Sequence, residues 1–485
     1  RIMAGENLSP RDATVKAISV SGGAGTGTTP AVAIGFSLAR NLIGWNEYSG
    51  KNPIDVRAYV TDTGAADATG IHAARGLTVT AAAGGRVHAV VEATAGALAA
   101  STNSAFAVAG AGLWTDNKIA ASVQAEIIGA DVIDVEAEGV NLSATNTASI
   151  VADARAVALT ASLAGTTGGA VSIGLSLAHN TVDNDVAAFI RNTGPVLTNG
   201  TDVRVTATDH AGIHALSIAA AVSAGIGGST GFAVSGGGAE ATNVILTRTN
   251  ASIEGSPLGT VDEPVGDVAI VAGGNAEIEA LIGAVAGSVS FGGTTGVGVA
   301  LGVGVARNFI GWDPSGTTVA ADHSSNDDPA ELATGQRVRI ASGPMAGEVF
   351  EYLGATLIDG DPHVEGVQPI DLSTQNYQDQ TVWRPASLAV SPAEIQARIL
   401  DASIHASGTL TLDAAAGQSI DAIVLAGAVA LSGGGTTGVG VSGGGVYTEN
   451  RIKTQIRASL DGDGTEGILA HSVTLTARDT STINA

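Results

Sequence analysis

Six asparagines, Asn41, Asn117, Asn180, Asn243, Asn308 and Asn450, each stand as a lone amide inside an apolar phrase. Such a column could hold a metal or a sugar, but a neutral amide is a poor lone ligand. An amide both donates and accepts, so stacked strands let each Asn bond to the ones above and below. The series reads as a structural ladder. His88 and His214 could serve in acid–base chemistry, but their repeating position holds Val151, Glu279, Asp421 and Asn484 elsewhere. A position open to valine, carboxylate, amide and imidazole is outward and solvated, so neither His is assigned a catalytic or metal role. Gly-Thr-Thr-Gly recurs at 165–168, 293–296 and 435–438, with Gly-Ser-Thr-Gly at 228–231. A phosphate cradle would need a following Lys-Ser/Thr at a helix start, and none follows. These glycines are read as permitting close sheet packing or a tight bend.

Two further groups are candidates for binding. Asp461 and Asp463, in Asp-Gly-Asp-Gly-Thr-Glu, resemble part of a Ca²⁺ loop, and Asp359, Asp361, Asp327 and Asp328 are looser candidates. A full EF-hand loop needs further oxygens and a Glu at its twelfth position, so a solvated acidic turn is the simpler account. Trp383, Tyr377 and Tyr352 could stack on a sugar or a partner, or form a small core of their own; Trp45 and Trp312 are read as structural.

These residues belong to a repeat. Ile/Val-x-Ala occurs at 87–89, 150–152, 213–215, 278–280, 420–422 and 483–485, and the Asn series keeps step with it. A third anchor, a strand slot such as Thr78-Val79-Thr80, Asn141-Leu142-Ser143, Thr206-Ala207-Thr208 or Thr409-Leu410-Thr411, follows the same period of 63 to 65 residues. The one longer interval, 142 residues, contains an insertion. It is located by the phrases Ala39-Arg40-Asn41-Leu42-Ile43-Gly44-Trp45 and Ala306-Arg307-Asn308-Phe309-Ile310-Gly311-Trp312. Residues 1–312 and 394–485 are therefore repeats, and 313–393 is a small inserted β module of different composition. Alternation from Leu77 to Ala99 has the two-residue period of a strand. Length differences fall where turn residues gather, so the expected fold is all-β: a repetitive parallel β-solenoid with an Ala/Gly-rich core. One wide coil per 63 residues stacks every Asn; with about 4.8 Å per layer, seven wide coils rise about 35 Å, and three short coils per repeat about 100 Å. The wide coil is favoured.

The composition fits. Of 485 residues 67 are Gly, 45% are hydrophobic and only 3% aromatic, so the apolar share is small side chains. A mean hydropathy of +0.29 argues against disorder, and 13 prolines are too few for collagen. The net charge of −24 speaks against nucleic acid and anionic membrane surfaces. Neither a signal peptide nor 18 unbroken apolar residues are found, so no membrane insertion is expected. With no Cys, disulfides and thiolate sites are absent. The chain starts at Arg1 and both terminal repeats are cut in mid-unit; the expectation is an internal piece of something longer, or copies that associate end to end or laterally.

The phrase Ser432-Gly433-Gly434-Gly435-Thr436-Thr437-Gly438-Val439-Gly440-Val441, together with the period, resembles the giant repetitive surface proteins of bacteria, the filamentous-haemagglutinin type of β-solenoid adhesin. The resemblance covers 1–312 and 394–485. It implies secretion to the cell surface, a filament, stalk or layer, and adhesion to glycans or surface proteins without enzymatic chemistry. Two alternatives stay open: a β-helical polysaccharide-cleaving enzyme, and an ice- or mineral-binding surface built on the Thr-x-Thr slot.

Overall fold

In a computed structural model, residues 2–7, 11–46, 50–61, 70–314, 320–342, 347, 349–358, 370–377, 379, 382–385, 389–390 and 392–485 are described. The chain forms two compact units, Arg1–Gly311 with Pro392–Ala485, and Trp312–Ser391.

The first unit is an all-β parallel solenoid with wide coils. One coil runs up through Gly139–Ala164, turns, and returns through Thr167–Arg191. Each strand pairs in parallel with its equivalent in the next coil, Thr145 opposite Thr208 and Asn117 opposite Asn180. The period of 63 is thus one turn of the solenoid. The first strands of all coils make one sheet and the second strands another, with short strands such as Ile71–Ala73, Ile133–Val135 and Val196–Leu197 closing a third side. Alternation drives this layout: successive side chains point to opposite faces, and small inner residues let the two long sheets approach.

Towards the turn that joins the long strands, the approach is backbone to backbone. A Cβ on Gly225 would lie 1.9 Å from the carbonyl oxygen of Phe232, and one on Gly168 would lie 2.1 Å from that of Ile226. Glycine is therefore required at these two inward positions of the thin half, with Ala, Ser and Thr among the other inner residues. The half nearer the third side is thicker and holds Val, Ile and Leu, including Val140, Leu142, Ile190 and Ile253. A second cluster, with Val87, Ile150 and Ile213, continues towards the thin half.

Sequence alignment and observed register agree for Ile/Val-x-Ala and the Asn series but differ at the third anchor. Ser143, not Asn141, stands opposite Thr206, and Val271 stands opposite Asp413. The anchor drifts by two residues because its Thr-rich face preserves strand parity without naming a unique position.

Breaks in the second sheet fall at one point. After Ile43 and after Ile310 the chain leaves the strand through Gly44 (φ +68) and Gly311 (φ +77). A Cβ there would lie 2.0 Å from the carbonyl oxygen of Ala120 and 2.1 Å from that of Lys453. These are the glycines of the two matching Gly-Trp phrases, and the longer excursion is the second unit. That unit contains a four-stranded sheet, including Arg337–Arg339, Val349–Tyr352 and Trp383–Pro385, over an aromatic core. Among the described residues no helix is long and apolar enough to cross a membrane.

Candidate functional site

The asparagines form one unbroken chain of amide hydrogen bonds through the solenoid. Asn41 Nδ2 donates to Asn117 Oδ1 at 2.7 Å. Asn117, Asn180, Asn243 and Asn308 each donate onward at 2.8 Å, the last to Asn450. Asn117, Asn180, Asn243 and Asn308 are buried, and each uses its carbonyl and one N–H along the column. The column thus pins the vertical register inside an otherwise apolar core.

A second polar site lies in the interior and does not repeat. Asp209 is fully buried; Asn146 of the preceding coil donates to its Oδ1 at 2.7 Å, and Asn184 of the facing sheet donates to the same oxygen at 3.5 Å. Burial pushes the carboxyl up to about 6, and the two amides only partly offset it. Asn146 Oδ1 and Asn184 Oδ1 are buried and accept no hydrogen bond. The site therefore has a surplus of acceptors, which a proton on Asp209 would relieve. Nothing periodic in the sequence marks it, since the column runs Ala83, Asn146, Asp209 and Gly274 on successive coils.

On the outer face of the first sheet, His214, Glu279 and Asp421 fall in one column on successive coils. They line an open groove of about 430 Å³ with Asp153, Leu216 and Leu281. His214 Nδ1 lies 2.7 Å from Glu279 Oε2, and both side chains are substantially exposed. His88 faces Asp12 at 3.3 Å in the same column. The position is solvated, as its mixed occupancy implies, and in the later coils its three titratable groups are contiguous, which residue types alone do not reveal. Among the described residues, no three His, Cys, Asp or Glu side chains converge as a metal site.

The proposed contact aromatics require correction. Trp383, Tyr377 and Tyr352 are buried, at 2%, 7% and 4% exposure, and pack on one another with ring centroids 4.7 Å and 5.1 Å apart. The Tyr377 hydroxyl donates to the Leu372 carbonyl at 2.6 Å, and burial, helped by Asp371, raises its pKa. They are the core of the second unit, because a small sheet with few aliphatics needs large side chains to fill its centre. Asp461 and Asp463 lie on an exposed stretch at a strand end, and among the described residues no group of three His, Cys, Asp or Glu side chains is placed to hold a metal ion there. Asp327 Oδ2 accepts from the Ser324 amide at 2.7 Å, which is a turn contact. Asp359 and Asp361 lie outside the described residues.

Charged pairs join neighbouring coils elsewhere. Glu254 lies between Arg191 and Arg398 at 2.8 Å and 2.5 Å; burial pushes its carboxyl up, but the two guanidinium groups outweigh that and hold it below its ordinary value. Compared with models of known protein families, with curated proteins and with solved structures, the chain matches none.

Proposed function

We propose that this chain is a non-enzymatic structural repeat protein of the extracellular cell surface, working as part of a filament, stalk or surface layer. The observation that carries the reading is the uninterrupted coil-to-coil register, with the buried asparagine chain running through it. Such a stack spends its sequence on rigidity and repetition. Each coil offers a strand edge on which a further coil or another chain can add. The second unit, inserted where the chain leaves the second sheet after Ile310, is the contact or recognition element, for glycans or other surface proteins. Its contacts come from exposed groups around the aromatic core rather than from the core itself. Electron microscopy of the purified protein, with and without a calcium chelator, tests the assembly. Uniform fibres or separate slender particles are expected; compact globules would overturn the reading.

A second reading, cleavage of an acidic or neutral polysaccharide, is favoured by the His214–Glu279–Asp421 column in its groove. It requires that uronan or pectin-like polymers be shortened by the wild type and not by His214→Ala or Glu279→Gln. Unchanged polymer lengths would dispose of it.

A further inference from the structure

Six stretches of the solenoid carry no Asp, Glu, Lys, Arg or His: 17–39, 93–115, 156–178, 215–239, 280–306 and 422–448. The register stacks their shared segments directly on one another, each running up the first sheet, through the thin-half turn, and down the second. Together they make a two-layered blade. From Ala156 to the turn is about ten residues, or about 33 Å of strand, and six layers span about 29 Å.

The side-chain arrangement in this blade is inverted relative to the thick half. Inside are Ala, Gly and hydroxyl residues, among them Thr160, Ser162, Ser172, Ser176, Ser217 and Ser223, all buried. Outside are the large apolar side chains: Phe36 is 63% exposed, Leu163 58%, Leu159 and Ile173 56%, and Leu301 53%. Both outer faces share this pattern. An aqueous surface of such size and composition is unusual, since contiguous exposed apolar patches seldom exceed a few hundred Å², whereas each face here covers about 950 Å² from the dimensions above.

We infer that this blade enters the hydrocarbon layer of a lipid bilayer. Four observations favour lipid over a second copy of the chain. Both faces are apolar and the turn at the blade's end carries no charge, so an apolar phase can cover both faces and the tip. The limb length matches a hydrocarbon core of about 30 Å. Between neighbouring coils the backbone groups are satisfied even at the turn, where the amides of Thr166, Ser229, Thr294 and Thr436 donate to the preceding coil; this is the condition for backbone in lipid, and the strands of the first and last coils meet it when a further coil or copy pairs with them. At the blade's base the charges return abruptly as Lys16–Glu92 (2.9 Å), Arg155–Asp153 (2.6 Å) and Arg40–Asp116 (3.0 Å), with Trp114 edge-on to His179. Charges and an amphipathic ring at that level mark a membrane–water boundary.

The inference goes beyond the structural role above and departs from the expectation of no membrane insertion. That expectation used net charge and unbroken apolar runs, and both average over coils whose charges all lie outside the blade. The test is flotation of the full chain with phosphatidylcholine vesicles, which avoids repulsion between anionic lipid and an acidic protein. Wild type is expected to float with the vesicles, and a Trp placed by Leu163→Trp to be quenched by bromines on the acyl chains. The double variant Leu159→Lys/Ile173→Lys changes only exposed side chains, keeps its β-sheet circular dichroism, and partitions at least tenfold more weakly. The inference is overturned if wild type stays with the dense fraction, if the double variant floats equally well, or if the lysines merely disperse an oligomer that forms without lipid.

Discussion

Replacing Asp209 with Asn removes an interior carboxyl whose protonation changes near neutrality. The group titrates at about 6 in the fold against an ordinary 3.8. At about 1.4 kcal/mol for each tenfold change in proton affinity, the gap amounts to about 3 kcal/mol. Its sign follows from which state holds the proton more tightly. Below pH 4 both folded and unfolded chains carry it, and the fold has its full stability. Between about 4 and 6 only the folded chain retains it, so stability falls as pH rises, reaching a loss of about 3 kcal/mol above pH 6. An Asn at 209 stays neutral throughout and offers an N–H to the unpaired Asn146 Oδ1. Asp209→Asn should therefore match wild type near pH 4 and exceed it by about 3 kcal/mol at pH 8. Net repulsion among surface carboxylates also weakens the fold at high pH, but it is common to both proteins and cancels in the difference. Urea unfolding by circular dichroism, with hydrogen exchange of strand Val203–Gly227 as a local probe, measures it at fixed ionic strength. Parallel stability curves for the two proteins across pH 4–8 would refute the reasoning.

Five further substitutions and one condition separate the other structural arguments. Asn180→Leu leaves Asn117 Nδ2 without its onward acceptor and Asn243 Oδ1 without its donor, at about 1–3 kcal/mol for each orphaned group. Asn450→Leu orphans only Asn308 and should cost about half as much in the same denaturation assay; equal costs would break the ladder argument. Gly225→Val meets the Phe232 carbonyl and should lose more than about 3 kcal/mol, seen as early exchange of amides in the thin half, whereas Gly236→Ala, with open space at its Cβ, should lose about 1 kcal/mol or less. Trp383→Ala should destabilise the second unit by about 3–5 kcal/mol, read from exchange in Val349–Tyr352. Chelation of calcium should leave the unfolding midpoint unchanged; a drop of several degrees would mean that the Asp461–Asp463 turn binds the ion after all.

The sequence disclosed what repeats. Ile150, Ile213 and Ile278 share a column, and a lone Asn in an apolar phrase is conspicuous once it recurs in register. It also disclosed the inserted unit, because Gly311 and Trp312 copy Gly44 and Trp45 before the composition changes. Features that do not recur along a column were illegible for the converse reason: Asp209 has Ala83, Asn146 and Gly274 as equivalents, and no periodicity announces it. The blade was hidden by a different cause. Where both parities of a strand are apolar, as in Ala156-Val157-Ala158-Leu159, alternation does not say which set faces in. Size decides it, since small residues, mostly Ala, Gly and Ser, fit where the sheets nearly touch. Aromatic burial in the second unit was likewise beyond pattern reading, because Tyr352 and Trp383 meet only through strand pairing across 31 residues of chain.

The breadth of each coil has a mechanical consequence. Adjacent central coils are joined along 25 paired residues in each of the two long sheets. Tension applied parallel to the strands loads that whole seam in shear, so many bonds must fail together. Tension applied along the stacking axis instead peels the seam from one end, breaking a few bonds at a time. The solenoid is accordingly an anisotropic plate, tough against traction across its width and weak against delamination. The buried asparagine chain acts as a row of rivets through the layers, in the direction where the plate is weakest.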